Sequence, residues 1–154
     1  MRVYSKFIIL LLTGCLFACG ENKKPSTPLE TLKAYTKAIQ KKDTTTMKLL
    51  LSDASIKMAE QEAKAQNRTL DDVVKNETLF NESQKSLKFR NEKIDGDRAT
   101  IEVENSFNSW DTVPFVKEEG VWKIDKQTIA NQLLEKNEED NKRLDEIINQ
   151  GRQP

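Results

Sequence analysis

The sequence predicts an α+β fold, with N-terminal helices packed on a four-stranded antiparallel sheet and a further helix after the last strand. Three observations predict it. Helix-capping signals open one segment after another between Thr27 and Phe80, each with apolar residues at helical spacing. Between Leu87 and Asp125 the apolar period drops from 3.6 residues to 2, and from Gln127 it returns to 3.6. Helices followed by a run of strands is the α+β order.

The chain opens on a processing segment. Arg2 and Lys6 precede an apolar run from Phe7 to Leu12 that continues through Leu16-Phe17-Ala18-Cys19, and no acidic residue occurs before Glu21. A run of about a dozen residues is too short to cross ~30 Å of hydrocarbon. The expectation is a cleaved signal at 1–18. Leu16-Phe17-Ala18-Cys19 resembles the bacterial lipobox, in which a small residue precedes the Cys to be acylated; Phe17 departs from its commonest form. Leu12-Thr13-Gly14-Cys15 also fits on paper, but cleavage there would shorten the apolar region to about six residues and leave Leu16-Phe17 exposed. Lipidation is therefore assigned to Cys19, and the localisation expected is the bacterial cell envelope, with the domain outside the cytoplasm.

Cleavage before Cys19 takes 18 of 154 residues and leaves 136, with no second thiol and no His. An internal disulfide, Cys–His and Ser–His nucleophiles, and Cys- or His-ligated zinc are all excluded. No Asp-x-Asp-x-Asp-Gly ladder marks a calcium loop, so neither a metal nor a cofactor is expected. Loss of Arg2 and Lys6 from 25 basic side chains leaves 23 against 25 acidic ones, with the signs mixed throughout; this is not the footprint of a nucleic-acid binder.

Residues 19–26 are polar after Cys19 and read as a tether. A domain over 27–134 follows. Thr27-Pro28-Leu29-Glu30 supplies an N-cap, a Pro at the first helical position and a Glu three residues after the cap; Leu29, Leu32, Tyr35 or Thr36, and Ile39 then form a stripe. Asp43 caps a short helix carrying Met47, Leu50 and Leu51. Ser52 or Asp53 caps a third helix carrying Ile56, Met58 or Ala59, and Ala63. Thr69-x-x-Asp72 opens a fourth through Val73 and Val74, extending toward Leu79-Phe80.

Leu87 and Phe89 then alternate with Lys88 and Arg90, and Ala99, Ile101, Val103 and Phe107 alternate with polar neighbours. Asp95-Gly96-Asp97 marks a hairpin. Parity favours a three-residue loop, with Phe89 opposite Val103 and Asn91 opposite Ile101. A second hairpin turns at Glu119-Gly120 with a two-residue loop, pairing Phe115 with Ile124 and aligning Val113, Phe115, Trp122 and Ile124 on one face. Pro114 lacks a ladder donor and suits an edge or a bulge. From Gln127 a helix carries Ile129, Leu133 and Leu134. Its continuation, 135–154, is a charged tail with one short apolar stripe at Leu144, Ile147 and Ile148, expected to project or dock loosely.

The opening Thr27-Pro28-Leu29-Glu30-Thr31-Leu32-Lys33-Ala34-Tyr35 and the closing Phe115-Val116-Lys117-Glu118-Glu119-Gly120-Val121-Trp122-Lys123-Ile124-Asp125, on either side of helices and four strands, resemble small bacterial lipoproteins of the nuclear transport factor 2-like superfamily. The resemblance spans about Pro28 to Gln132 and implies a cone-shaped fold with a pocket between the sheet and the first helices. Its enzymes carry acidic, Tyr or His groups in that mouth. Here the candidate pocket-lining residues are Tyr35, Asn91, Asn105, Trp110 and Asp111, with Asp111 the carboxylate nearest the mouth and Trp122 a core residue. No residue is assigned a catalytic role. The reading is a binding or interaction module whose partners are the membrane, through acyl chains on Cys19, and a small apolar ligand or a protein. The alternative is a carboxylate-dependent isomerase or cyclase-like enzyme.

Overall fold

The computed structural model describes residues 27–76, 78–80 and 87–150; Cys19, the signal and the tether lie outside the described residues. Helices α1 (Pro28–Lys41), α2 (Thr44–Leu50), α3 (Asp53–Ala65) and α4 (Leu70–Asn76) precede strands β1 (Phe89–Asp95), β2 (Arg98–Glu104), β3 (Trp110–Glu118) and β4 (Val121–Ile124), and α5 (Lys126–Gln150) follows. The strands form an antiparallel meander in the order β1-β2-β3-β4. The predicted α+β architecture is therefore the observed one. Among the described residues no helix is long and apolar enough to cross a membrane.

The caps act as the sequence requires. Thr27 accepts from the Glu30 N–H, Asp43 from Thr46 and Ser52 from Ser55. Thr69 accepts from the Asp72 N–H at 3.1 Å and donates to the Asp72 carboxylate at 2.6 Å. Each bond from a backbone N–H satisfies a first-turn donor that has no intrahelical partner. α4 stops at Asn76, short of Leu79-Phe80, which instead pack at the edge of the core.

The core lies between α1–α4 and one sheet face: Leu32, Tyr35, Ile39, Met47, Leu50, Val73, Ile101, Val103, Val113, Phe115, Trp122 and Ile124 are buried. β4 is a sheet edge, and its outward carbonyls are occupied by the helices. The Thr31 hydroxyl donates to the Trp122 carbonyl at 3.0 Å, and the Ser52 N–H donates to the Ile124 carbonyl at 2.9 Å. Buried carbonyls are thereby satisfied where no further strand exists.

The β3–β4 hairpin turns at Glu119 and Gly120, at φ 50° and 78°, and pairs Phe115 with Ile124 as expected. Positive φ at both loop residues gives the twist a two-residue hairpin needs. The first hairpin differs from expectation. Asp95 pairs directly with Arg98, so the loop is Gly96-Asp97; Gly96 takes φ 56°, and the Asp97 carbonyl accepts from the Lys117 N–H. A bulge between Arg90 and Lys93 then restores Phe89 opposite Val103, with Asn91 at φ 53° and without Ile101 as its partner. An extra residue on one strand corrects the parity that the shorter loop would violate, and Asn tolerates the left-handed conformation better than most residues.

Every residue of β1 is exposed, Phe89 by 40 %, so the expected inward alternation fails on this strand: β1 is an edge that the helices do not fully cover. Phe107 does not extend β2 but sits in the following turn, 85 % exposed. Pro114 lies in an interior strand, contrary to the edge or bulge expected. Its carbonyl accepts from the Asp125 N–H at 2.9 Å, so its missing N–H points at Asp125, one residue beyond the end of β4. Asp125 caps α5, accepting from the Thr128 N–H and hydroxyl. The carbonyl of an N-cap residue is taken by the helix it opens, so Pro114 deprives no strand residue of a bond.

α5 packs on β3 and α3 through its first turns only. Residues 131–150 are exposed throughout; this is as expected from 135 on, but Leu133 and Leu134, expected within the domain, are exposed as well because only the first turns of α5 pack.

Candidate functional site

The five residues proposed to line a pocket separate into three places. Tyr35 is on the core side of α1 and fully buried, one helical turn from both Leu32 and Ile39, because the capped register of α1 aims that stripe at the sheet. Its hydroxyl has no hydrogen-bond partner among the described residues, and burial pushes its pKa well above the ordinary tyrosine value. It is a neutral phenol at any physiological pH and offers no general base.

Asn105 and Asp111 meet at the β2–β3 turn. Asn105 Nδ2 donates to Asp111 Oδ2 at 3.1 Å, while Asn105 Oδ1 accepts from the N–H groups of Phe107 at 2.9 Å and Ser109 at 3.0 Å. The Asn105 N–H donates to the Ser109 carbonyl, and Asn108 takes φ 57°. One side chain thus organises the turn, as Asn does when it mimics a backbone turn. Asp111 opposes Val103 but is exposed and held by an amide.

Trp110 faces the other way. It pairs with Glu104, in the phase of the solvent-facing residues of β2. There the Arg90 guanidinium lies 4.0 Å from the centre of the Trp110 ring, and Arg90 Nε donates to Glu102 Oε2 at 2.7 Å. Asn91 joins this group: the bulge turns its amide onto Glu102 Oε2 at 3.0 Å. Lys88 and Glu104 pair alongside at 2.7 Å. Hydrogen bonds from Arg90 and then Asn91 hold the Glu102 carboxyl below the usual glutamate range.

Asn91, expected on the concave face, is therefore corrected to the outer face, Trp110, expected at the rim of the pocket, stands beside it there, and Tyr35 does not join Asn105 and Asp111. The register assumed for β1 omitted the bulge, and a register error moves side chains to the opposite face. The polar neighbours that alternate with Ala99, Ile101 and Val103 on β2 face outward, as expected, but Arg90 as the centre of the outer-face cluster was not anticipated. The outward phase of Arg90, opposite Glu102 and diagonal to Trp110, was the available signal. Chemically the cluster is a cross-strand clamp: guanidinium, carboxylate and indole satisfy one another. Among the described residues no three His, Cys, Asp or Glu groups are placed to hold a metal ion.

The orphan Tyr35 hydroxyl makes a specific prediction. Tyr35→Phe keeps the ring and removes a buried donor without a partner, so stability should rise or stay level, by about 0–1 kcal/mol in a denaturant titration. A loss above about 1 kcal/mol would mean that the hydroxyl is hydrogen-bonded in solution.

The sequence profile of a family described as "Protein of unknown function (DUF2950)" matches residues 22–145. No curated protein matches the chain. Among solved structures the chain is similar to that of a proposed NTF2-like transpeptidase from Campylobacter jejuni. The TM-score is 0.41 at 18% identity, over 64% of this chain and 98% of the other.

Proposed function

We propose that this chain, which belongs to the DUF2950 family of proteins of unknown function, serves as a lipid-anchored binding or interaction module of the bacterial cell envelope, tethered through Cys19 and acting without a catalytic site of its own. The observation that carries the anchor is the charge and hydropathy pattern of residues 1–24. Arg2 and Lys6 precede an apolar run that ends at Leu16-Phe17-Ala18-Cys19, and polar sequence begins at once with Gly20-Glu21-Asn22-Lys23-Lys24. A tether of seven residues from Gly20 to Ser26 then reaches at most about 25 Å, which holds the domain close to the membrane surface.

What supports a binding role over a catalytic one is how the polar groups are used. Asn105 holds a turn and Asp111, Arg90 is shared between Glu102 and Trp110, and the Tyr35 phenol is sealed in the core. The partners in this reading are the membrane and a protein or small apolar molecule. A nuclear transport factor 2-like fold also belongs to the proposal.

Cys19→Ser should abolish incorporation of a labelled fatty acid and move the protein from the membrane fraction to the soluble or unprocessed pool. A single acyl chain binds only marginally, whereas two or more make residence stable, so the fractionation should be close to all-or-none. Labelling that survives Cys19→Ser and vanishes in Cys15→Ser would overturn the assignment of Cys19. Absence of labelling in the unsubstituted chain would overturn the anchor itself.

A further inference from the structure

We infer that α5 is a self-association element, pairing antiparallel with α5 of a second copy of this chain. The inference goes beyond the anchored module and holds whether or not Cys19 carries a lipid. From 131 to 150 every residue of α5 is exposed, a rod of about 30 Å. Leu133, Leu134, Leu144, Ile147 and Ile148 are each at least half exposed on it. Helices gain most of their stability from packing an apolar face, and this one packs only its first turns.

The spacing of the side chains says what fits the uncovered face. Heptad phasing places Ala130 (half-buried, at the end of the packed turns), Asn137 and Leu144 at a, and Leu133, Asp140 and Ile147 at d, with Leu134 and Ile148 flanking the seam at e. Parallel pairing would set the two Asp140 carboxylates against each other in the seam. Antiparallel pairing sets a against d of the partner helix. Leu133 then meets Leu144, Ala130 meets Ile147, and Asn137 meets Asp140, with the two-fold axis between Glu138 and Glu139. Apolar faces apolar, and the one polar layer joins an amide donor to a carboxylate acceptor. Lys136 and Arg143, four residues before Asp140 and three after it on the same helix, supply positive charge beside that carboxylate. The strip is its own complement, as an isologous two-fold interface requires. The mixed polar layer then fixes orientation, a use of buried polar residues attested in coiled coils.

The test uses the full chain expressed in its host. Leu133→Cys and Leu144→Cys are placed in differently tagged copies, expressed separately and together, and oxidised, with the unsubstituted chain as background. Cross-linking is expected between the two different variants and not within either one. Like-with-like cross-links, or none above background, would overturn the proposal. Introducing Asn137→Asp into both copies should lower the cross-link yield about tenfold, because carboxylates then face each other and lose their donors. The swapped pair, Asn137→Asp with Asp140→Asn, rebuilds the layer in an antiparallel seam and should restore the yield to within about threefold. Failure of the swap to restore it would also overturn the proposal, since an antiparallel seam pairs position 137 with position 140 and needs one amide and one carboxylate in either order.

Discussion

Truncation of Trp122 to Ala is expected to cost about 3–5 kcal/mol, the usual loss for a large aromatic in a core. The indole is 4 % exposed, on the strand that α1 covers. Its loss would leave a void between α1 and β4 at the point where the Thr31 hydroxyl reaches the Trp122 carbonyl. The backbone there is held from both sides, by Thr31 and by the pairing with Lys117, so the site has little freedom to collapse and the cavity cost remains. The Lys117 ammonium lies 5.5 Å from the ring centre and would lose that contact as well. A domain of this size has about 5–15 kcal/mol in all, so the variant should unfold at much lower denaturant or fail to accumulate. Trp122→Phe fills part of the space and should recover more than half of the loss. An Ala variant that loses less than about 1 kcal/mol in urea titration would show that the hairpin does not pack as described.

The next largest effect is expected at Ser55, where a single hydroxyl joins three elements. Ser55 Oγ accepts from the Lys126 N–H at 2.8 Å, lies 2.7 Å from Ser52 Oγ and donates to the Ile124 carbonyl at 3.3 Å. It is 1 % exposed. Ser55→Ala keeps the helix, since Ala has the higher propensity, but removes the hydroxyl that accepts from the first N–H of α5 and one of two donors to the Ile124 carbonyl, which keeps the Ser52 N–H. A buried donor that loses its acceptor costs about 1–3 kcal/mol, and a net loss of about 2 kcal/mol is expected by chemical denaturation. The loss should be local as well as global: amide exchange at Lys126 and Thr128 should accelerate more than at Ile101 in the sheet centre. A change below about 0.5 kcal/mol, with exchange unaltered, would mean that the hydroxyl is dispensable.

Some features of the fold are decided over spans of four to six residues, and those were legible. Thr27 caps because its oxygen reaches an N–H three residues on, and Glu119-Gly120 turns because two adjacent residues take positive φ. The alternation of Ala99, Ile101 and Val103 sets the buried face of β2 without reference to any other strand. The exposed continuation of α5 was legible for the same reason: nine residues from Glu135 to Arg143 carry nothing apolar to bury. The candidate site was not legible in this way. Its five residues come from α1, the β1 bulge and both sides of one turn, so their convergence depended on the register between strands.

The sequence by itself determined the order of elements, the caps, the closing hairpin and the apolar face of the sheet, because each rests on contacts a few residues apart. Tertiary structure alone decided the bulge at Asn91, the interior place of Pro114 and the start of β3 at Trp110, which puts Trp110 and Asp111 on opposite faces. A strand's register is a balance over all its cross-strand pairs and the helices packed above it. On β1, where the helices cover little, one extra residue was enough to turn Asn91 to the outer face.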